Sequence, residues 1–101
     1  MITNFNELTD AETERLSCLA EECGEVIQAV GKILRHGYAD YSPNDPTHTD
    51  NRKMLEKELG DLRYWMVEMG NQGDVNKEAI HNNADLKAIR VKQWLHHQEG
   101  Y

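Results

Sequence analysis

The chain has 101 residues, is 39% hydrophobic and 29% charged, and carries a net charge of −7. That length predicts one domain, residues 1–101, with a small core near the stability margin. The acidic balance argues against a nucleic-acid polymer as partner, because phosphate backbones are gripped by clustered Lys and Arg. No apolar run reaches the roughly 18 residues that a membrane span needs, and Met1 to Leu8 lack the basic start and apolar stretch of a secretory signal. A cytoplasmic protein without a membrane partner is the expectation. Cys18 and Cys23 fall on one helix and point in different directions, which suits neither a disulfide nor a zinc site. They read as small packing residues.

Thr9 followed by Glu12 is a capping-box pattern and opens a helix over about residues 11–36. Along it Leu16, Leu19, Ala20, Cys23, Val26, Ile27, Val30, Ile33 and Leu34 recur at three- and four-residue steps. Gly37 stops it just beyond the basic Arg35 and His36. Residues 38–49 hold both prolines, Pro43 and Pro46, among Ser, Asn, Asp and Thr, and predict a loop. Its length exceeds most helix-to-helix connections, and long ordered loops often serve a site. A second helix follows over about 51–70, with Leu55, Leu59, Leu62, Met66 and Met69 as its apolar stripe. After the turn Asn71-Gln72-Gly73, Asn76 caps a third helix to about residue 98, with Val75 and Ile80 as a hydrophobic staple. Its stripe is Ala84, Ala88, Val91, Trp94 and Leu95, while Leu86 and Ile89 lie on another side. A helix with two apolar sides commonly packs against two partners. The fold class is therefore all-α, an antiparallel bundle of three main helices, completed by oligomerisation.

The chemistry lies in the acids. Glu22 and Glu25 on the first helix, and Glu58 and Asp61 on the second, are i, i+3 pairs, each on one helical face. Both pairs sit on the flank of an apolar stripe, so packing the stripes together brings the pairs together. Solvated acids are commonly interleaved with bases four residues away, but here only Asp61 has one nearby in sequence, Lys57. Four carboxylates on a half-buried flank repel one another by several kcal/mol at moderate effective dielectric. A cation is needed to hold them, and all-oxygen ligation favours magnesium, calcium or manganese over zinc. Small Cys18 and Ala29 beside the first pair leave room for hydrated ions.

Glu21-Glu22-Cys23-Gly24-Glu25, followed by Glu58-Leu59-Gly60-Asp61, resembles the Glu-Glu-x-x-Glu and Glu-x-x-Asp signature of the MazG-like all-α NTP pyrophosphohydrolases. The resemblance runs from the first helix into the third. It implies a helical homodimer or homotetramer and Mg2+, with Mn2+ as the substitute, held by Glu22, Glu25, Glu58 and Asp61. It also implies hydrolysis of a nucleoside or deoxynucleoside triphosphate to the monophosphate and pyrophosphate. The segment between the two motifs is at the long end for such a family, and the Pro-containing loop is the excess. Within that frame Glu21 is the candidate catalytic residue, as the base or as the group that positions the water. Asn83, Lys87 and Arg90, on one flank of the third helix, are candidate phosphate contacts, as are Lys57 and Lys53. Trp65, one turn beyond Asp61, is placed to stack on a nucleobase. Tyr38, Tyr41 and His48 are available to close over a substrate.

Two rivals make different predictions. Glu78-x-x-His81 is one Glu-x-x-His element of a di-iron carboxylate bundle, but that architecture wants two such elements and four helices. An acidic interaction protein or nucleic-acid mimic without catalytic activity fits the net charge, yet needs acids spread along a surface, not gathered on apolar flanks.

Overall fold

The computed structural model describes residues 5–99. Residues 1–4, the start of the stretch read against a secretory signal, lie outside the described residues. Three α-helices follow one another, α1 (Asp10–His36), α2 (Asn51–Asn71) and α3 (Lys77–Arg90), then a 3₁₀ turn, Val91–Gln93. No strand forms among the described residues; Tyr41 and Asp50 make one isolated antiparallel bridge.

Local chemistry sets the boundaries. The Glu12 N–H donates to Thr9 Oγ1 (3.1 Å), and Glu12 Oε1 accepts from the Thr9 N–H (2.8 Å), closing the capping box. At the far end Gly37 takes φ +86° and its N–H reaches the Ile33 carbonyl at 2.7 Å. Asp50 caps α2 by accepting the Lys53 N–H (2.9 Å), and Asn76 caps α3 by accepting the Ala79 N–H (2.9 Å). Between α2 and α3 the chain turns at Gly73, whose φ of +83° costs least without a Cβ.

The third helix ends earlier than residue 98. Arg90 is its last residue, and the Trp94 N–H closes a 3₁₀ turn on the Val91 carbonyl at 3.0 Å. Trp94, His96 and His97 are weak helix formers, and none of them is buried. Without tertiary packing, little offsets their poor propensity.

α1 and α2 run antiparallel and pack along their lengths. One end of the pair is fixed by Arg15, which donates to both carboxylate oxygens of Asp74 at 2.6 and 2.9 Å. At the other end the Asn51 side-chain amide donates to the Gly37 carbonyl at 3.0 Å. The core of this hairpin is thin: the buried apolar residues are Ala29 and Met69. Much of the stripe expected to be buried is open instead, with Ile27 73% and Leu34 82% exposed. Cys23 is exposed as well, so it does not pack within the chain, whereas Cys18 is half-buried. Every residue of α3 is exposed. The Cα radius of gyration is 17.6 Å, against about 13 Å for a compact domain of 100 residues. The three helices are those expected, with α1 and α2 packed as a hairpin and α3 exposed beside it.

The long loop is ordered by its own side chains. Asp45 Oδ1 accepts from the Thr47 N–H and hydroxyl (2.9 and 2.7 Å), and Oδ2 accepts from the Thr49 N–H (3.0 Å). Those bonds hold the Asp45 carboxyl below its ordinary range. Tyr41 stacks on His48 with centroids 4.5 Å apart, and Arg52 lies 4.4 Å over the Tyr38 ring. All three residues named as a possible cover over substrate are thus engaged within the loop or with α2.

Candidate functional site

Antiparallel packing carries the two acidic pairs to one place. Glu22, Glu25, Glu58 and Asp61 each offer a carboxylate oxygen, and these oxygens all lie within 4.8 Å of one another. Glu58 is buried, 8% exposed, and the other three are half-buried. Glu22 Oε2 and Glu58 Oε2 are shut off from solvent with no hydrogen-bond partner. A buried polar atom in that state is costly unless something absent from the protein satisfies it.

Among the described residues, Lys57 is the base in ion-pair contact with the group. Lys57 Nζ donates to Asp61 Oδ2 at 2.9 Å and lies 3.7 Å from Glu58 Oε1. Sequence spacing assigned this base to Asp61 alone; the structure gives it to Glu58 too. The bond to Asp61, then the charges of Asp61 and Glu58, raise the Lys57 pKa. One paired ammonium does not balance four carboxylates. The Glu58 carboxyl is pushed above its ordinary value by a hydrogen bond with Glu25, which needs a proton between them, and then by burial and repulsion from Glu25. An all-oxygen donor set with two orphaned buried oxygens suits a hard divalent cation. A cavity of about 260 Å³ adjoins Glu25 and Glu58; of the two small residues expected to leave room for hydrated ions, Ala29 lines it and Cys18 does not.

The other named residues are less tightly gathered. Glu21 is exposed on α1. Trp65 is half-buried, one turn past Asp61, and meets Tyr64 edge-to-face at 5.0 Å. Asn83, Lys87 and Arg90 are exposed on α3, whereas the cavity beside the carboxylates is lined by α1 and α2. Asn83 donates to the Ala79 carbonyl (2.8 Å), and Lys87 Nζ lies 5.8 Å from the centre of the Trp94 ring. Lys53 is exposed at the start of α2. His81 pairs with Asp85 at 3.5 Å on the surface, and neither it nor Glu78 belongs to the metal-competent cluster.

Sequence reasoning passed over Lys32. It lines the carboxylate cavity and also a larger one, about 480 Å³, between the end of α1 and the loop. The available sign was the all-basic spacing Lys32, Arg35 and His36 at i, i+3, i+4.

No helix among the described residues is long and apolar enough to cross a membrane. No curated protein and no solved structure matches the chain. The family model of the MazG nucleotide pyrophosphohydrolase domain matches residues 11–95, which includes both acidic pairs and the loop between them. The chain belongs to the MazG nucleotide pyrophosphohydrolase domain family.

Proposed function

We propose that this protein hydrolyses a nucleoside or deoxynucleoside triphosphate to the monophosphate and pyrophosphate, using Mg2+ (or Mn2+) held by Glu22, Glu25, Glu58 and Asp61. The observation that carries the reading is the convergence of those four carboxylates within 4.8 Å, with Lys57 as the base paired to them among the described residues. A bound divalent ion would supply charge neutralisation of the phosphate oxygens and a more acidic water.

The remaining work falls to side chains. In the reaction a water oxygen bonds to the α-phosphorus, the bond from that phosphorus to the α–β bridging oxygen breaks, and pyrophosphate leaves with that oxygen. Glu21 takes the water's proton or positions the water. Lys57 shifts from its carboxylate partners toward the phosphates as they arrive, and Trp65 stacks on the base.

Asn83, Lys87 and Arg90 contact phosphate from the α3 of a second copy. This follows from an assembly that closes the open faces of the hairpin. Ile27 and Leu34 are an i, i+7 pair of exposed apolar residues on α1, and Leu59 and Met66 are another on α2. A monomer rarely leaves such continuous stripes in water, and a homodimer or homotetramer buries them.

The test is incubation with magnesium and each common NTP and dNTP, with products resolved and Glu58→Gln run in parallel. Monophosphate and pyrophosphate from the wild type are expected. The variant should lose more than about 100-fold, beyond the 10- to 100-fold typical of groups that only support ligands. Diphosphate release, or equal activity in the variant, would overturn the proposal.

A further inference from the structure

We infer that the cavity between the end of α1 and the Pro-containing loop is an anion subsite, in which Lys32 and Arg35 bind the pyrophosphate half of the triphosphate. This rests on the reading of the carboxylate site given above and adds the direction in which the substrate lies.

The charge pattern comes first. Lys32, Arg35 and His36 stand at i, i+3 and i+4, so three basic groups share one side of the last turns of α1. The negative end of the helix dipole offsets part of their repulsion. Neither Lys32 nor Arg35 makes an ion pair among the described residues. All three line the cavity of about 480 Å³, a volume within the range of small-molecule pockets. Of the acids in its wall, Asp45 is already occupied by Thr47 and Thr49, which leaves Asp40.

The register of the hairpin then fixes the order of parts. Lys32 lies two turns beyond Glu25 toward the end of α1, and Met54 lies one turn before Glu58 toward the start of α2. Both residues line the carboxylate cavity and the loop cavity, so the two adjoin there. Trp65 lies on the opposite side of the carboxylates, one turn past Asp61 along α2. A triphosphate with its α-phosphorus at the carboxylates has two directions in which to extend. The aromatic side suits the base, and the basic cavity suits the highly charged pyrophosphate. Lys32 at the junction reaches the oxygen atoms that gain charge as the leaving group departs.

Calorimetric titration with pyrophosphate and, separately, with a nucleoside monophosphate tests this, each in the presence of magnesium. Wild type, Lys32→Met, Arg35→Met and Lys32→Arg are compared. Lys32 and Arg35 are exposed, so the variants are expected to fold, and their helical circular dichroism checks it. Pyrophosphate affinity should fall roughly tenfold or more in Lys32→Met, the low end for a hydrogen bond to a charged group. It should also fall in Arg35→Met and largely return in Lys32→Arg, with monophosphate affinity unchanged in all three. Equal pyrophosphate affinity across the set overturns the inference, as does a loss confined to the monophosphate, which would make the cavity a nucleoside pocket. If the wild type releases pyrophosphate from a triphosphate while Lys32→Met binds it unchanged, the subsite is wrong and the enzymatic reading stands. If the wild type hydrolyses no nucleotide yet binds pyrophosphate through Lys32, the anion subsite stands and the enzymatic reading falls.

Discussion

Glu58 holds a buried carboxylate among three others, with one oxygen unsatisfied and its nearest base shared with Asp61. A hydrogen bond with Glu25, burial and like charge raise its pKa above the ordinary 4.5. The native state therefore binds the Glu58 proton more tightly than the unfolded chain does. Between pH 4.5 and the raised value the unfolded state holds fewer protons, so stability falls as pH rises. Asp45 and Asp74 have lowered values, from an ordinary 3.8, and their contribution is lost as pH falls below that figure, in a separate window. In chelator, the urea midpoint of the wild type should drop across the window above pH 4.5 relative to Glu58→Gln. Adding magnesium should remove the drop, because the metal takes the proton's place. Parallel profiles for the two proteins would remove Glu58 as the source. The four acids were legible in the sequence because i, i+3 spacing and the shortage of bases are properties of single helices. The second contact of Lys57 and the position of Lys32 were not, since both depend on how α1 faces α2.

At the scale of elements, capping residues marked the starts of α1 and α3 and Gly37 the end of α1, because those bonds are local; the Asp50 cap of α2 emerged only in the structure. The end of α3 was misread for the opposite reason. The spacing of Val91, Trp94 and Leu95 is helical, but periodicity sustains a helix only where something packs on the stripe. α1 contrasts with α3 in having both a closed capping box and a packed partner. Thr9→Ala leaves the Glu12 N–H without its acceptor and should cost about 1 kcal/mol. The measurement is a lower urea midpoint at unchanged slope, at fixed protein concentration. Thr9→Ser, which keeps the acceptor oxygen, should retain most of the stability. An unchanged midpoint in Thr9→Ala would mean that the start of α1 frays without consequence for the fold.

For the whole molecule, a radius of gyration of 17.6 Å, a thin core and an α3 exposed on every side describe an open α1–α2 hairpin, and the proposed assembly would close it. The sequence predicts association from the two apolar sides of the third helix. It did not show that the candidate phosphate contacts on α3 stand apart from the carboxylate cavity within one chain. If a second copy supplies Arg90, the two parts of one site come from different chains, and defects in them should complement. Glu58→Gln and Arg90→Ala are each expected to be weakly active alone. Mixed under conditions that allow subunit exchange, half the pairings of a two-fold dimer would join one variant to the other. Each such pair would carry one intact site, so activity should return to about one quarter of wild type. Sedimentation before and after mixing verifies that the assembly persists. If Arg90 acts within its own chain, one site of the mixed dimer lacks Glu58 and the other lacks Arg90, so mixing restores nothing. Recovery would thus connect the exposed third helix, the open apolar stripes and the carboxylate cluster in a single shared site.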